Sequence, residues 1–258
     1  MRATDVTARR RTSVAEAAEF VRVVQKKQFR VPGCGLRQNK GKILTKLETR
    51  NSKLETRNSK LETRNKKVSD AEKWNRRYLD AQVGATPPVQ VLRDYAHLLP
   101  RHGRALDLAC GLGANALLLA AQGLDTLAWD ISAVAVDKLN TYARTHDLPL
   151  HAVVRDLTQH GLPEHHFDVI VVSRYLERSL CPAIQAALKP GGLLYYQTWT
   201  RAQVDEHGPA NPAFRLARNE LLHLFSELDV IAYREEDIVG DAARGLRGEA
   251  WLVAQRPA

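Results

Sequence analysis

Residues 105–116 read ALDLACGLGANA, the most informative segment of the chain. Its apolar start, Ala105–Leu108, has the composition of a buried strand, and two glycines follow before a helix-forming run that begins at Ala114. A strand, a glycine-bearing turn and a helix in this order are typical of the first unit of an open parallel sheet. Because such sheets bind their ligands at the carboxyl ends of the strands, we expect a ligand site at this turn.

Short apolar runs alternate with helical patterns after this segment, which predicts βαβ units. We expect an α/β fold with a Rossmann-like, doubly wound sheet of seven strands, helices on both faces, and a mostly parallel order with a C-terminal antiparallel hairpin. The expected strands span residues 104–108, 126–130, 151–155, 167–173, 193–199, 229–235 and 250–255. The expected helices span residues 70–79 or 70–82, 87–99, 114–122, 133–145, 179–188 and 217–226.

Charge divides the chain into two parts. The 258 residues carry a formal net charge of +9. Residues 1–70 hold 19 Lys and Arg against 7 Asp and Glu, whereas residues 71–258 hold 19 against 22. We therefore predict a basic extension over residues 1–70 and a mildly acidic globular domain over residues 71–258. Nucleic-acid affinity is expected only in the extension, where it would be non-specific, because an acidic domain is unsuited to tracking phosphates.

The extension contains three heptads, LETRNSK, LETRNSK and LETRNKK, over residues 47–67. Each heptad has a single leucine as its apolar residue, whereas a coiled-coil seam needs two apolar positions. We therefore expect the extension to be disordered or partly helical. The repeat and the charge step both end where the domain begins, which suggests the hypothesis that the part before Val68 is dispensable.

Composition argues against several other classes. No apolar run reaches the roughly 18 residues that a membrane span needs, and the N-terminus lacks the apolar segment of a secretory signal. The three cysteines, Cys34, Cys110 and Cys181, are too few and too scattered for a disulfide framework or a CxxC metal site. We expect a cytoplasmic protein with no metal and no membrane partner, and leave its oligomeric state open.

The residues around the two glycines bear on the ligand. Gly111-x-Gly113-x-x-Ala116 fits the pattern of NAD-binding turns, which is weak evidence by itself. Asp107 stands four residues before Gly111, and a carboxylate there disfavours a pyrophosphate but favours an amino group. S-adenosylmethionine has an amino group, a carboxylate and a sulfonium, and no phosphate. The alternative is an NAD-dependent oxidoreductase, for which the sequence shows no Tyr-x-x-x-Lys pair.

With these motifs the chain resembles the class I S-adenosylmethionine-dependent methyltransferases, and among them the small bacterial enzymes of the tellurite-resistance methyltransferase type. Residues 107–115, DLACGLGAN, are similar to the D-x-A-C-G-x-G-x-N of those enzymes. Residues 74–78, WNRRY, look like the segment that precedes their first strand, and residues 188–192, LKPGG, look like the turn before their fifth strand. The resemblance covers roughly residues 71–258.

The resemblance implies contacts with S-adenosylmethionine at several strand ends. Asp130 ends the second strand, where a carboxylate can accept both ribose hydroxyls; the alternative is a cap on the next helix. Asp156 would face the adenine amino group, and the backbone N–H of Leu157 would face the ring. The full set of expected cofactor contacts is Asp107, Ala109, Cys110, Gly111, Gly113, Asn115, Asp130, Ile131, Asp156, Leu157 and Ser173.

The sequence is less specific about the residues that would bind the methyl acceptor. Methyl transfer from a sulfonium is an in-line displacement with a neutral leaving group, so no general acid is needed and no catalytic dyad is expected. Arg174 or Arg178 would hold an anionic acceptor. The alternative for these two arginines is an ion pair with Glu177 at the surface. We expect a small-molecule acceptor, such as tellurite, selenite, a thiol or a small acid, and no specific nucleic acid. The substrate-side candidates are Arg174, Tyr175 and Arg178, and the candidates for an aromatic lid are Trp74 and Tyr78.

A non-enzymatic alternative is also open. A cofactor-binding module without turnover, tethered to nucleic acid by the basic extension, fits the same composition. That alternative predicts cofactor binding without methyl transfer, and nucleic-acid binding that is lost with the extension.

Overall fold

The computed structural model of the chain describes residues 69–203 and 206–258. The extension predicted for residues 1–70 lies outside the described residues, apart from its last two. The strands are β1 Arg104–Leu108, β2 Asp125–Asp130, β3 Leu150–Val154, β4 Phe167–Ser173, β5 Leu188–Trp199, β6 Asp229–Glu235 and β7 Glu249–Gln255. The α-helices are α1 Asp70–Tyr78, α2 Gln90–Asp94, α3 Ala114–Ala121, α4 Ala133–Thr145, α5 Cys181–Ala187 and α6 Glu220–Leu224. Short 3-10 helices lie at Ala96–Leu98, Arg178–Leu180 and Pro212–Phe214.

The seven strands of the described residues form one sheet in the order β3-β2-β1-β4-β5-β7-β6. The pairs from β3 to β5 are parallel, whereas β7 runs antiparallel to both β5 and β6. The predicted α/β fold, with its mostly parallel sheet and C-terminal antiparallel hairpin, is confirmed. β7 lies between β5 and β6, so the last strand in sequence is not an edge strand.

The central strands are buried on both faces, as expected for a doubly wound sheet. In β4, Val169 and Val171 face the apolar cluster that includes residues of α2 and α3, while Ile170 and Val172 face the cluster that includes residues of α5 and α6. A third cluster joins α3 to α4 through Ala116 and Leu139. The period-two alternation of side chains thus places helices on both faces.

Hydrogen bonds at the helix ends explain where α1 and α4 begin. Ser69 caps α1 and forms a capping box with Glu72. Ser132 caps α4 by accepting a hydrogen bond from the Ala135 N–H. The cap of α4 is therefore Ser132, which leaves the Asp130 carboxylate available to other groups.

Most elements lie within one or two residues of their predicted bounds, and three differ by more. β5 begins at Leu188 because Leu188 pairs with Phe167, so the LKPGG segment belongs to the strand. α2 ends at Asp94, and the carbonyl of Tyr95 accepts a hydrogen bond from the Tyr195 hydroxyl, 3.1 Å away. α6 begins only at Glu220 because the preceding Asn219 has a left-handed backbone. In each case a long-range contact or a single backbone conformation decided the boundary.

None of the helices in the described part of the chain combines the length and the apolar composition needed to cross a membrane.

Candidate active site

The carboxyl ends of β1 and β4 lie side by side in the middle of the sheet. From β1 the chain continues to β2 and β3 on one side, and β4 adjoins β1 on the other side. A ligand crevice forms at such a switch in strand order. Asn115, in the first turn of α3, spans this point, because its Nδ2 donates to the Ser173 hydroxyl 2.9 Å away. The predicted residues Asn115 and Ser173 are thus brought together.

The glycine turn between β1 and α3 has an unusual backbone. Ala109, Gly111 and Gly113 have φ values of 54°, 54° and 74°, so every second residue is left-handed. The N–H groups of Cys110, Gly111 and Gly113 are already engaged, by the Trp129 carbonyl, the Asp130 carboxylate and the Cys110 carbonyl. α3 starts directly after the turn with no side-chain cap, so the first N–H groups of the helix suit an anion. The Cys110 N–H donates to the Trp129 carbonyl at 3.0 Å, which ties the turn to the end of β2.

Asp107 lies beneath this turn rather than on its surface. Its carboxylate is fully buried and accepts hydrogen bonds from the Ala116 N–H at 3.1 Å and from Asn115 Nδ2 at 3.4 Å. Burial raises the pKa of Asp107 from 3.8 to about 7, although these two hydrogen bonds oppose the shift. The side chain therefore fixes the start of α3; its contact with a ligand amino group stays a prediction.

Asp130 holds the other side of the turn. One carboxylate oxygen accepts from the Gly111 N–H and the other from the Ser132 N–H, each at 2.8 Å. Burial raises the pKa of Asp130 above its ordinary value, and the N–H groups of Ser132, Gly111 and Ile131 oppose that shift. Since each oxygen has two lone pairs, one acceptor position on each oxygen remains for a further hydroxyl. Ile131 lies between Asp130 and Ser132 in sequence, and its contact with the cofactor stays a prediction.

Asp156 closes a turn of its own after β3. Its carboxylate accepts from the Thr158 N–H at 2.9 Å, the Thr158 hydroxyl at 2.6 Å and Gln159 Nε2 at 2.8 Å. These bonds, led by that of the Thr158 hydroxyl, lower the pKa of Asp156. One acceptor position is left for an adenine amino group. The side chain of the next residue, Leu157, is buried in the core.

α1 brings the predicted aromatic pair to the glycine turn. The rings of Trp74 and Tyr78 stack with centroids 5.8 Å apart, and a Cβ placed on Gly111 would lie only 2.6 Å from the Tyr78 hydroxyl. Burial and the nearby Asp130 raise the pKa of Tyr78 above its ordinary value, so the phenol stays protonated. Tyr78 therefore lies against the turn with Trp74 stacked on it, and their closing over a ligand stays a prediction.

Polar contacts hold α1 in this position. None of its residues is fully buried. Asn75 Oδ1 accepts from the Ser132 hydroxyl at 2.7 Å, and the Lys138 ammonium donates to the carbonyls of Tyr78 and Ala81, both at 2.8 Å, and of Leu79. The attachment of α1 to α4 is thus a small set of hydrogen bonds rather than an apolar interface.

Two buried amides cap α2 from a distance. The Val89 N–H donates to Asn115 Oδ1 and the Val91 N–H donates to Gln197 Oε1, each at 2.9 Å. α2 has no side-chain cap of its own. Sequence patterns assigned no role to Gln197 beyond its place at the end of the fifth strand, although a glutamine in the apolar run of β5 indicates a buried polar group that needs a partner.

The two candidate arginines are placed differently. Arg178 donates from Nε and Nη2 to both carboxylate oxygens of Glu220, at 2.6 and 3.0 Å, and also to the carbonyls of Ala213 and Arg215. Arg174 has 61% of its side chain exposed and makes one ion pair, from Nε to Glu249 at 3.4 Å. The alternative of an ion pair with Glu177 is wrong for both, because Glu177 accepts from Ser179 instead.

Tyr175 lies between these arginines in sequence and is half-buried. Burial, together with the nearby Glu177, raises its pKa to about 12. Its carbonyl accepts a hydrogen bond from the Tyr196 hydroxyl at 2.9 Å. These contacts fix the backbone after β4, and the substrate contact of Tyr175 stays a prediction.

Sequence reasoning missed two further residues on the acceptor side. Glu249 is buried at the start of β7, where it accepts from Gln197 Nε2 and Arg174 Nε. Arg215 is buried as well and donates to the carbonyls of Thr200, His207 and Pro209, which fixes the loop after β5. No local pattern announces either residue, because only the position of β7 beside β5 brings Glu249 to the site.

Cys110 has no features of a nucleophile. Burial raises the pKa of its thiol well above the ordinary value, which disfavours the reactive thiolate. In the part of the chain that the structure describes, no three His, Cys, Asp or Glu side chains form a group that could hold a metal ion.

Comparisons with known proteins bear on this geometry. The sequence model of the family described as "Methyltransferase domain" matches residues 76–233 of this chain. A protein of Eikenella corrodens named "Hemagglutinin 1" is 32% identical over 139 residues, 51% of this chain and 46% of that protein. A protein of Haemophilus influenzae named "Probable S-adenosyl-L-methionine-dependent methyltransferase TehB" is 26% identical over 140 residues, 51% of this chain and 48% of that protein. This chain therefore spans about half the length of the curated relatives it matches.

A solved structure shows the same fold. The crystal structure of TehB from Haemophilus influenzae aligns with a TM-score of 0.53 at 22% sequence identity. The alignment covers 64% of this chain and 61% of that chain. At this identity the likeness is one of fold.

Proposed function

Because this chain belongs to the methyltransferase-domain family, we propose that it transfers a methyl group from S-adenosylmethionine to a small-molecule acceptor. The family membership confirms the resemblance found in the sequence motifs. The acceptor classes that we propose are tellurite or selenite, a thiol, or a small acid.

The described residues fit the parts of S-adenosylmethionine. The observation that carries the proposal is the left-handed turn over residues 109–113 with Asp130 beside it. The uncapped start of α3, directly after the turn, suits the carboxylate of the methionine part. Asp130 keeps one acceptor position on each oxygen, which suits the two ribose hydroxyls. Asp107 holds the turn from beneath without occupying its surface.

The chemistry needs little from the protein beyond position. Bound S-adenosylmethionine supplies the methyl group, and a neutral thioether leaves when that group is transferred. The turn and Asp130 orient the donor, while the exit of β4 and the loop after β5 orient the acceptor. Holding two reactants in line contributes up to about 7–11 kcal/mol in favourable systems. Tyr78, which lies against the turn, and Trp74, which stacks on Tyr78, exclude water from one side.

No general base is required when the acceptor arrives as an anion. The two buried carboxylates nearest the glycine turn, Asp107 and Asp130, are both engaged by backbone N–H groups, which suits them to structure and binding. The mildly acidic charge of residues 71–258 favours a small acceptor over a nucleic acid.

Binding and turnover together test the proposal. We expect calorimetry to show that the protein binds S-adenosylmethionine and S-adenosylhomocysteine but not NADH. We also expect transfer of a labelled methyl group to at least one member of a panel of selenite, tellurite, thiols and small carboxylic acids. Binding of NADH alone would support the oxidoreductase alternative. Binding of S-adenosylmethionine with no transfer to any acceptor would support the non-catalytic module.

A further inference from the structure

The guanidinium of Arg174 is held at its Nε by Glu249 and on one face by Trp199, and its Nη edge is open. Its Nε donates to Glu249 at 3.4 Å, and its guanidinium carbon lies 5.6 Å from the centre of the Trp199 ring. Nη1 and Nη2 make no hydrogen bond to any residue within 69–203 or 206–258, and 61% of the side chain is exposed. A guanidinium with a free pair of parallel donors is matched to two oxygens of one anion.

A buried relay fixes this guanidinium from behind. The relay consists of Val91, Gln197, Glu249 and Arg174. The Val91 N–H donates to Gln197 Oε1 at 2.9 Å, Gln197 Nε2 donates to one oxygen of Glu249, and the other oxygen accepts from Arg174. Gln197 and Glu249 are both buried, so neither exchanges partners readily with water.

The backbone supports the same placement. Arg174 has a φ of 53°, a conformation that costs free energy for a residue with a Cβ and that persists only where the surroundings enforce it. Its N–H donates to the Gln197 carbonyl at 2.8 Å, and the side chain of the same Gln197 donates to Glu249, which holds the guanidinium. Arg174 directly follows Ser173, which bonds to Asn115 in the first turn of α3. The open guanidinium edge thus starts from the strand that borders the predicted donor site.

We infer that the Nη edge of Arg174 binds an anionic group of the methyl acceptor, and that Glu249 is the positioning residue that aims it. The inference rests on the proposed function and narrows it to acceptors with a pair of anionic oxygens, either a carboxylate or an inorganic oxyanion. Arg178, the other candidate, has Nε and both Nη groups engaged by Glu220 and two carbonyls. It therefore belongs to the framework of the loop and not to the anion site.

Anion binding to the full-length protein tests the first half of the inference. The protein is saturated with S-adenosylhomocysteine and titrated with selenite, and separately with benzoate, by calorimetry at low ionic strength, where screening is weak. We expect at least one probe to bind and Arg174→Ala to weaken that probe by about tenfold or more. The two probes distinguish an oxyanion from a carboxylate. Arg144→Ala, which removes an exposed arginine of α4, serves as the matched control and is expected to change nothing.

Two variants of Glu249 test the second half. Glu249→Gln removes the charge and keeps one oxygen that can accept from Arg174, with loss of the hydrogen bond from Gln197 Nε2, whereas Glu249→Ala removes both oxygens. We expect Glu249→Gln to bind the probe at least as tightly as the wild type, because a repulsive charge is gone. We expect Glu249→Ala to bind it about tenfold more weakly than Glu249→Gln, because the guanidinium is no longer aimed. In ¹⁵N spectra the Arg174 Nε–H should exchange with water faster in Glu249→Ala than in Glu249→Gln.

Each outcome decides one claim. If neither probe binds the wild type, or if Arg174→Ala binds as tightly as the wild type, the anion site is wrong. If the two Glu249 variants bind the probe equally, the positioning role is wrong. Unchanged affinity for S-adenosylhomocysteine shows that a variant is folded. If the wild type does not bind S-adenosylhomocysteine at all, the proposed function fails and this inference fails with it.

Discussion

The carboxyl group of Asp107, which has no exposed surface, supports the glycine turn, and its effect on the stability of the fold depends on pH. Burial raises the pKa of Asp107 from 3.8 to about 7, so the folded protein holds a proton there between about pH 4 and pH 7 that the unfolded chain has lost. The stability that this proton contributes is fully present below pH 4 and is lost as the pH rises through about 7. At pH 8 the folded protein carries a buried charge.

We therefore predict that Asp107→Asn is more favourable to stability at pH 8 than at pH 5. The melting temperature relative to the wild type should be higher at pH 8 by about 3 °C or more, measured by thermal unfolding at constant ionic strength. An equal difference at both pH values would contradict the raised pKa.

Asp168 provides the matched control for this prediction. Burial raises its pKa, but the hydrogen bonds from Lys189 and the Arg104 N–H outweigh burial, and the net shift is downward. Its stabilisation is present above the unfolded pKa and is lost only as the pH falls through the lower folded value. Asp168→Asn should therefore lower the melting temperature by similar amounts at pH 5 and pH 8.

The carboxylate of Asp130 serves both the turn and the proposed ribose site. We predict that Asp130→Ala weakens the binding of S-adenosylmethionine by about tenfold or more, because two charge-assisted hydrogen bonds are lost and the Gly111 N–H is released. Calorimetry measures the change. Asp125→Ala, at the other end of β2, removes an exposed carboxylate and should leave the affinity within about twofold. Unchanged affinity in Asp130→Ala would refute the ribose assignment.

Among the helices, α1 is held most loosely, since its attachment depends on Asn75 and Lys138. We predict that Lys138→Met, which keeps the length of the side chain but removes three hydrogen bonds, raises amide hydrogen exchange in α1. The melting temperature should change little, because α1 has no fully buried residue. Binding of S-adenosylmethionine should weaken, because Trp74 and Tyr78 move with the helix.

Hydrogen-exchange mass spectrometry on peptides that cover residues 70–79 measures this effect. Lys189→Met is the matched control, because Lys189 pairs with Asp168 at the amino ends of β5 and β4, away from the carboxyl ends where the glycine turn lies. It should leave exchange in α1 unchanged. Wild-type protection of α1 in Lys138→Met would mean that the aromatic contacts alone hold the helix.

Local sequence patterns predicted the elements that depend on nearby residues. The apolar run of β4 and the strand–turn–helix around Gly111 needed no long-range information, and both were found as predicted. α2 was predicted too long at both ends, and the carbonyl just after it accepts a hydrogen bond from Tyr195, a hundred residues away. Glu249 could not be found, because its role exists only after β7 has paired with β5. Contacts between distant elements therefore limit what sequence reasoning can reach.

Over the whole molecule, the distribution of charge separates the domain from what precedes it. The full chain has a net charge of +9, whereas residues 68–258 hold 19 Lys and Arg against 23 Asp and Glu, or −4. We predict that a fragment of residues 68–258 keeps the melting temperature and the S-adenosylmethionine affinity of the full chain, and loses its binding to heparin at low salt. Loss of folding or of cofactor binding in the fragment would show that the N-terminal residues contribute to the domain.

The position of β7 has a consequence for synthesis on the ribosome. β7 is translated after β6 but is inserted between β6 and β5. Until it emerges, β5 in the nascent polypeptide has an unpaired edge, which is a site for aberrant pairing with other chains. Because the carboxylate that aims Arg174 is carried by the same late strand, a partly translated chain cannot assemble the acceptor side prematurely. The sheet is therefore completed at the same step that places Arg174 on the acceptor side of the proposed active site.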